Sequence, residues 1–119
     1  MNFENTLLVG AGGAVGALAR YSVGEIIQRE RFPLSILVVN LLGSFIAGLL
    51  LFVSPRDSIL LFVSVGFCGA FTTFSSFSFQ TVYLWSNDNK QGAIIHAGSN
   101  LILCLIALAL AWLIVGVLV

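Results

Sequence analysis

Three long stretches of this chain carry no charged residue, and nothing else in the sequence limits its fold as severely. After the group Arg20, Glu25, Arg29, Glu30 and Arg31 there is no Lys, Arg, Asp or Glu until Arg56; the next gap runs from Asp57 to Asp88 and the last from Lys90 onward. Each exceeds the ~20 residues that a helix needs to cross the hydrocarbon core of a bilayer. With the apolar stretch that opens the chain, they predict four spans at about 5–28, 34–53, 58–85 and 91–118, and leave no room for an aqueous domain. Of the 119 residues 59% are apolar and 8% charged, too few charges to keep the surface of a soluble domain wet. The expected fold is therefore an all-α integral membrane protein, a single four-helix domain over residues 1–119.

Several function classes are set aside at this point. A net charge of zero and the lack of a basic patch argue against nucleic acid. No nucleophile-base-acid set, metal-ligand spacing or phosphate loop suggests an enzyme. The first span does not read as a cleaved secretory signal, because Glu4 is the only charge before it and no basic segment leads it. Cys68 and Cys104 fall inside apolar helices, which suits small packing residues better than a disulfide.

Pro33 suits a helix start, Pro55 follows a helix end, and Ser86-Asn87-Asp88-Asn89-Lys90 reads as a polar turn. Loops this short make successive helices antiparallel, so both ends of the chain lie on one side. The opposite side carries Arg29, Arg31 and Lys90, against Arg56 alone on the side of the ends. Positive residues mark the cytoplasmic face, so the bias leans towards ends outside, yet it is small enough to be compatible with insertion in both directions. Gly12 and Gly16, Gly13 and Ala17, and Ser44 and Gly48 repeat at four-residue spacing, beside Gly43 and Ala47. Such small residues let helices approach closely in lipid, either within one chain or between partners. A bundle this small has little interior in which to hide a water-filled path, which favours a partner.

Polar side chains inside spans are costly and point to function. Asn40 lies near the start of the second span. His96, Asn100 and Cys104 recur every four residues on one face of the fourth. Asn is stronger evidence than Ser or Thr, whose hydroxyls can bond their own helix, although either Asn can also serve as interhelical glue. His96, near a helix end, reads as a solvated or interfacial residue. The third span is the most informative. From Gly66 to Phe79 it packs five aromatics, two glycines and five hydroxyls into fourteen residues. Gly69 followed by Thr72-Thr73 is a poor helix interior, and a break there frees backbone groups that lipid cannot satisfy. Carbonyls released near Gly69 suit a small cation; the amides and hydroxyls of the following helix start suit an anion. Phe74 and Phe77, three apart, share a face, and ring edges are electropositive enough to line an anion path without trapping the ion.

Three motifs then combine into a resemblance. Gly12-Gly13-Ala14-Val15-Gly16-Ala17-Leu18-Ala19-Arg20-Tyr21, Val39-Asn40-Leu41-Leu42-Gly43-Ser44-Phe45, and Gly66-Phe67-Cys68-Gly69-Ala70-Phe71-Thr72-Thr73-Phe74-Ser75-Ser76-Phe77-Ser78 resemble, in order and spacing, the signatures of the CrcB/Fluc family of fluoride channels. The resemblance implies a dual-topology antiparallel homodimer in the cell membrane, with two pores that passively export fluoride which entered as HF. It implies pore roles for Phe74 and Phe77, for Asn40 as the pore asparagine, for Asn100, and for the hydroxyls of Ser75, Ser76 and Ser78. It further implies a structural sodium ion at the dimer centre, held by the backbone carbonyls of Gly69 and Thr72 from each subunit. Arg20 matches the family arginine of the first helix, and Gly12 and Gly16 its packing glycines.

The sequence departs from the family pattern at Ser35 and Ile36, where Gly-Thr is usual, and at Gln80, where a glutamate is frequent. The fourth-helix serine aligns with Cys104, an alignment carried by Asn100. These changes bear on conduction rate, and with the charge bias they leave open a heterodimer with an oppositely oriented homologue. Two rivals make different demands. A proton-coupled drug exporter needs an acid within a span, and only Glu25, near the end of the first, is available. A membrane scaffold requires that changes at Phe74 or Asn40 alter assembly and not ion flux.

Overall fold

Helices follow the uncharged stretches closely. The computed structural model of the chain describes residues 2–27 and 32–118; the expected end of the first span at Gln28, with Arg29, Glu30 and Arg31, lies outside the described residues. The first pass is α1 (Phe3–Ile26) and the second α2 (Leu34–Val53). The third pass is split. Its first half, α3, joins Asp57–Ile59, a π-helical stretch Leu60–Cys68 and Gly69–Phe71; its second half is α4 (Phe74–Ser86). The last pass is α5 (Lys90–Leu118). All four passes are long and apolar enough to cross a membrane, and the described residues form no strand.

The connections behave as their residues dictate. Pro33 occupies the N-cap position of α2, and α2 closes on Ser54 in the left-handed region (φ 49°) just before Pro55. In the turn after α4, Asn87 donates from Nδ2 to the Tyr83 carbonyl at 2.8 Å, and Asp88 takes a left-handed φ of 58° that short polar side chains tolerate. Asn89 then caps α5, its Oδ1 accepting from the Gly92 amide at 2.9 Å.

Contacts along the helices fix their directions. Gly12 and Gly16 of α1 lie against Phe62 and Phe67, and Arg20 reaches Thr72, so α1 and α3 run parallel. Asn40 meets Asn100 while Gly48 meets Leu108 and Ala111, so α2 and α5 also run parallel, and α4 packs on α5. Successive passes therefore alternate. At the α1–α3 seam a Cβ on Gly12 would run into the Phe62 carbonyl oxygen, and one on Gly16 into that of Phe67. Both glycines are buried. They act in packing within the chain, where backbones touch, rather than in holding a partner. The π-helical stretch, whose N–H groups bond five residues back, coincides with this seam.

The outer surface is apolar. Ile94, Leu101, Leu105 and Trp112 of α5 are more than half exposed, while small Ala93, Ala107 and Ala111 are buried against α2 and α4. Large apolar groups outside and small ones inside is the arrangement that lipid permits, since burying Leu between helices gains little over leaving it in the acyl chains.

Candidate functional site

The site grows from the interruption between α3 and α4. Thr72 (φ −79°, ψ 160°) and Thr73 (φ −151°, ψ 115°) are extended. The break thus falls at the Thr72-Thr73 pair that the sequence marks as a poor helix interior, while Gly69 before it is still helical (φ −61°, ψ −34°), and a Cβ there would meet nothing within 4 Å. The turn does not require that glycine. The chain leaves the helix at two β-branched threonines, which favour extended backbone.

Leaving a helix inside a bilayer exposes groups that must find partners, and Asn40 supplies them. Its Oδ1 accepts from the Thr73 amide at 2.8 Å and its Nδ2 donates to the Thr73 carbonyl at 3.2 Å. The side chain thus imitates a neighbouring strand. One result is that the Gly69 carbonyl loses its helical donor, because that donor is the amide of Thr73. The Thr72 carbonyl loses its own in the same way: the Ser76 amide donates to Thr73 Oγ1 at 3.1 Å, capping α4. Arg20 Nη1 stands 3.4 Å from the Thr72 oxygen, a long and weak contact. Both carbonyls that the resemblance assigns to sodium are therefore released, each for a stated reason. Gly69 and Thr72 also open on a common groove beside Ser44 and Ser64.

Two cavities flank the break. One, of about 270 Å³, is lined by Phe74 and Phe77, by the amides of Asn40 and Asn100, and by Cys104. The other, of about 500 Å³, is lined by Arg20, Ser75, Ser76 and Gln80, with Ser35 and Ile36. The expected pore residues are thus divided. The aromatic pair joins the asparagines, whereas the serine hydroxyls face the arginine. Ser78 is on the lining of neither. Thr73 Oγ1 donates to Ser76 Oγ at 3.0 Å and lies 3.3 Å from Ser75 Oγ, so one hydroxyl cluster sits at the positive end of α4.

The two rings differ in support. Phe74 is 79% exposed, and its centroid lies 5.6 Å from that of Phe77, tilted by 44°. Phe77 is held from behind. The His96 ring stacks on it at 5.4 Å, and Phe32 meets the His96 ring edge-on at 5.7 Å. The reading of His96 as solvated or interfacial is overturned: it is 0% exposed. Thr81 Oγ1 donates to the Phe77 carbonyl at 2.8 Å and lies 3.0 Å from His96 Nδ1. With its single proton on that carbonyl, the hydroxyl accepts from Nδ1–H, which leaves Nε2 a lone pair without a partner among the described residues.

Thr81 is a site residue that the sequence reading passed over, and Thr73 one that it named only as part of the break, because hydroxyls in apolar helices are common and weak signals. Two spacings betray them. Thr73 stands three residues before Ser76 at a helix start, and Thr81 stands one turn after Phe77. Of the cysteines, Cys68 is buried at 4%, while Cys104 is half-buried on the aromatic cavity; neither forms a disulfide.

Fold and site together define a small multi-pass membrane protein organised around a broken helix, in which irregular backbone lies beside mainly apolar cavities that carry a few polar groups. The chain belongs to the CrcB family: residues 7–112 match the family described as "CrcB-like protein, Camphor Resistance (CrcB)". It is 51% identical over 114 residues to a Haloarcula marismortui protein named fluoride-specific ion channel FluC 2, covering 96% of each chain. It is 43% identical to Halobacterium salinarum fluoride-specific ion channel FluC 1, covering 92% of each. A Thermus thermophilus protein named fluoride-specific ion channel FluC is 41% identical, with 98% of each chain covered.

Proposed function

We propose that this chain is a passive, fluoride-selective channel of the cell membrane, letting cytoplasmic fluoride leave and so relieving its toxicity. The observation that carries the reading is the aromatic cavity. It brings Phe74, Phe77, Asn40 and Asn100 together with no charged side chain on its lining. Fluoride is small and strongly hydrated, so a pathway must replace its water with hydrogen-bond donors. A lysine or arginine there would hold the ion too long, whereas amides, hydroxyls and ring edges bind weakly enough to release it onward. Arg20, with Ser75 and Ser76 in the adjoining cavity, supplies a positive potential that gathers anions at the entrance. The chemistry is conduction; no bond is made or broken.

The complete pathway needs two copies in this account. Both cavities are open on the isolated chain, and Phe74 projects from it. An inverted second copy would bring its own Phe74 and Phe77 to close them, giving two antiparallel pores. A structural sodium ion at the centre of such a dimer would be held by the Gly69 and Thr72 carbonyls of each copy, screening four carbonyl dipoles that face one another. The weak charge bias is compatible with one chain inserting in both directions. If it inserts in one only, an oppositely oriented homologue takes the second place.

Expression of the chain in a bacterium stripped of fluoride export is expected to restore growth in fluoride medium, and Phe74→Ile to abolish that rescue at equal membrane abundance. Membrane insertion without rescue, by a chain that also forms dimers, would contradict the homodimeric channel.

A further inference from the structure

Phe77 is fastened twice, at its backbone and at its ring, by one pair of side chains. Thr81 Oγ1 donates its single proton to the Phe77 carbonyl at 2.8 Å and accepts from His96 Nδ1–H at 3.0 Å. The His96 ring then returns to stack on the Phe77 ring, with centroids 5.4 Å and planes 30° apart, while Phe32 meets the same imidazole edge-on. This loop needs the histidine proton on Nδ1. The neutral ring therefore carries a bare lone pair at Nε2, without a partner among the described residues, and the whole side chain is buried.

No described group packed against His96 offers it a counter-charge. α2 holds no ionisable side chain, and α4 holds only Tyr83, which is exposed and stacked on Phe79. On α5 itself the others are Lys90, which lies over the Trp85 ring, and Cys104. A second proton on His96 would thus set a charged N–H donor inside the bundle with nothing to receive it. The Phe77 face attracts a cation, but that attraction acts on the face of the imidazole and leaves the N–H at its edge unsatisfied. The imidazolium gains a partner for Nε2–H only by turning, and turning breaks the stack or the Thr81 bond.

We propose that His96 is a proton-sensitive positioning residue: neutral, it fixes Phe77 against the aromatic cavity, and protonated, it lets that ring go. Phe77 lines the cavity together with Phe74, so loss of the stack unsettles one of the two rings offered to the ion. This role rests on the reading of that cavity as the anion pathway. Conduction is then greatest while His96 is neutral and falls as the pH drops through the range in which an imidazole takes up its proton.

Fluoride current through planar bilayers containing only this chain tests the switch, because neutral HF, which crosses lipid in acid, carries no current. Each variant is read as the ratio of its current at about pH 8 to that at about pH 5, on either side of the imidazole range. A buried donor left unpaired shifts a local equilibrium about tenfold, so the parent is expected to give a ratio of about 10 along a single-proton curve. His96→Phe keeps a ring for the stack and cannot titrate, and its ratio is expected to stay about 1. Should His96→Phe not fold, His96→Gln decides by the same ratio. A parent current that does not change with pH, or a ratio in these variants equal to the parent's, would overturn the role of His96. Phe74→Ile at the higher pH separates that failure from failure of the pathway. If it loses current while the parent is insensitive to pH, the cavity remains the pathway and His96 is not its switch. If it conducts like the parent, the pathway lies elsewhere and the switch falls with it.

Discussion

Asn40→Ala is expected to abolish fluoride conduction and to lower the unfolding temperature sharply, through a single cause. Asn40 is the sole side chain among the described residues that bonds both the amide and the carbonyl of Thr73. Without it those two groups sit inside the bilayer with no partner, at about 1–3 kcal/mol each. The sum is a large fraction of the 5–15 kcal/mol or so that holds a typical domain folded. The alternative for the chain is to return Thr73 N–H to the Gly69 carbonyl and continue the helix. That move would close the break, shift Phe74 and Phe77 off their cavity and cover one proposed cation ligand. Circular dichroism during heating reads the stability change, and fluoride efflux the functional one. An Asn40→Ala protein with the parent's unfolding temperature would show that the amide does not hold the break.

Phe74→Ile is expected to leave the fold intact and to remove conduction. Phe74 is mostly exposed and its recorded ring contact is the tilted one with Phe77, so the substitution takes little packing from its own chain. Isoleucine keeps the apolar bulk and removes the ring quadrupole whose electropositive edge faces an anion. A loss of about 100-fold in flux corresponds to roughly 2.7 kcal/mol at the barrier, within reach of several ring-edge contacts acting where water is excluded. Phe77→Ile provides the contrast. It also strips the stacked face of His96, which is buried with one nitrogen unpartnered, so stability falls together with flux. Equal flux from Phe74→Ile and the parent, at equal reconstitution, would remove the rings from the conduction pathway.

The fold was legible because charge in a bilayer is so heavily penalised that its absence marks the spans to within two or three residues. The ends of α2 at Leu34 and Val53 coincide with the expectation, helped by Pro33 and Pro55. Interruption of the third pass was legible too, from threonines and glycines that make a poor helix interior. What holds it open was not, because the deciding feature is a long-range pair: Asn40 stands 33 residues from Thr73. Propensity contains no such information. The same limit hid His96. Position near a helix end suggests solvent, yet Phe32 ahead of α2 and Phe77 and Thr81 of α4 come from two separate segments to enclose it. Grouping of the pore residues was only partly legible. Phe74, Phe77, Ser75 and Ser76 are neighbours in sequence, but the helical turn sends rings and hydroxyls to different cavities. The glycine stripe on α1 offered two uses, and the backbone of α3 takes Gly12 and Gly16 for packing within the chain.

Selective fluoride conduction by this chain alone is the claim on which the rest depends. Liposomes containing only the purified protein, loaded with fluoride and chloride together, test it directly, with each anion followed by its own electrode after the membrane potential is released. The account predicts rapid loss of fluoride while chloride stays inside. Equal loss of both anions, or retention of both by a folded protein, would contradict it.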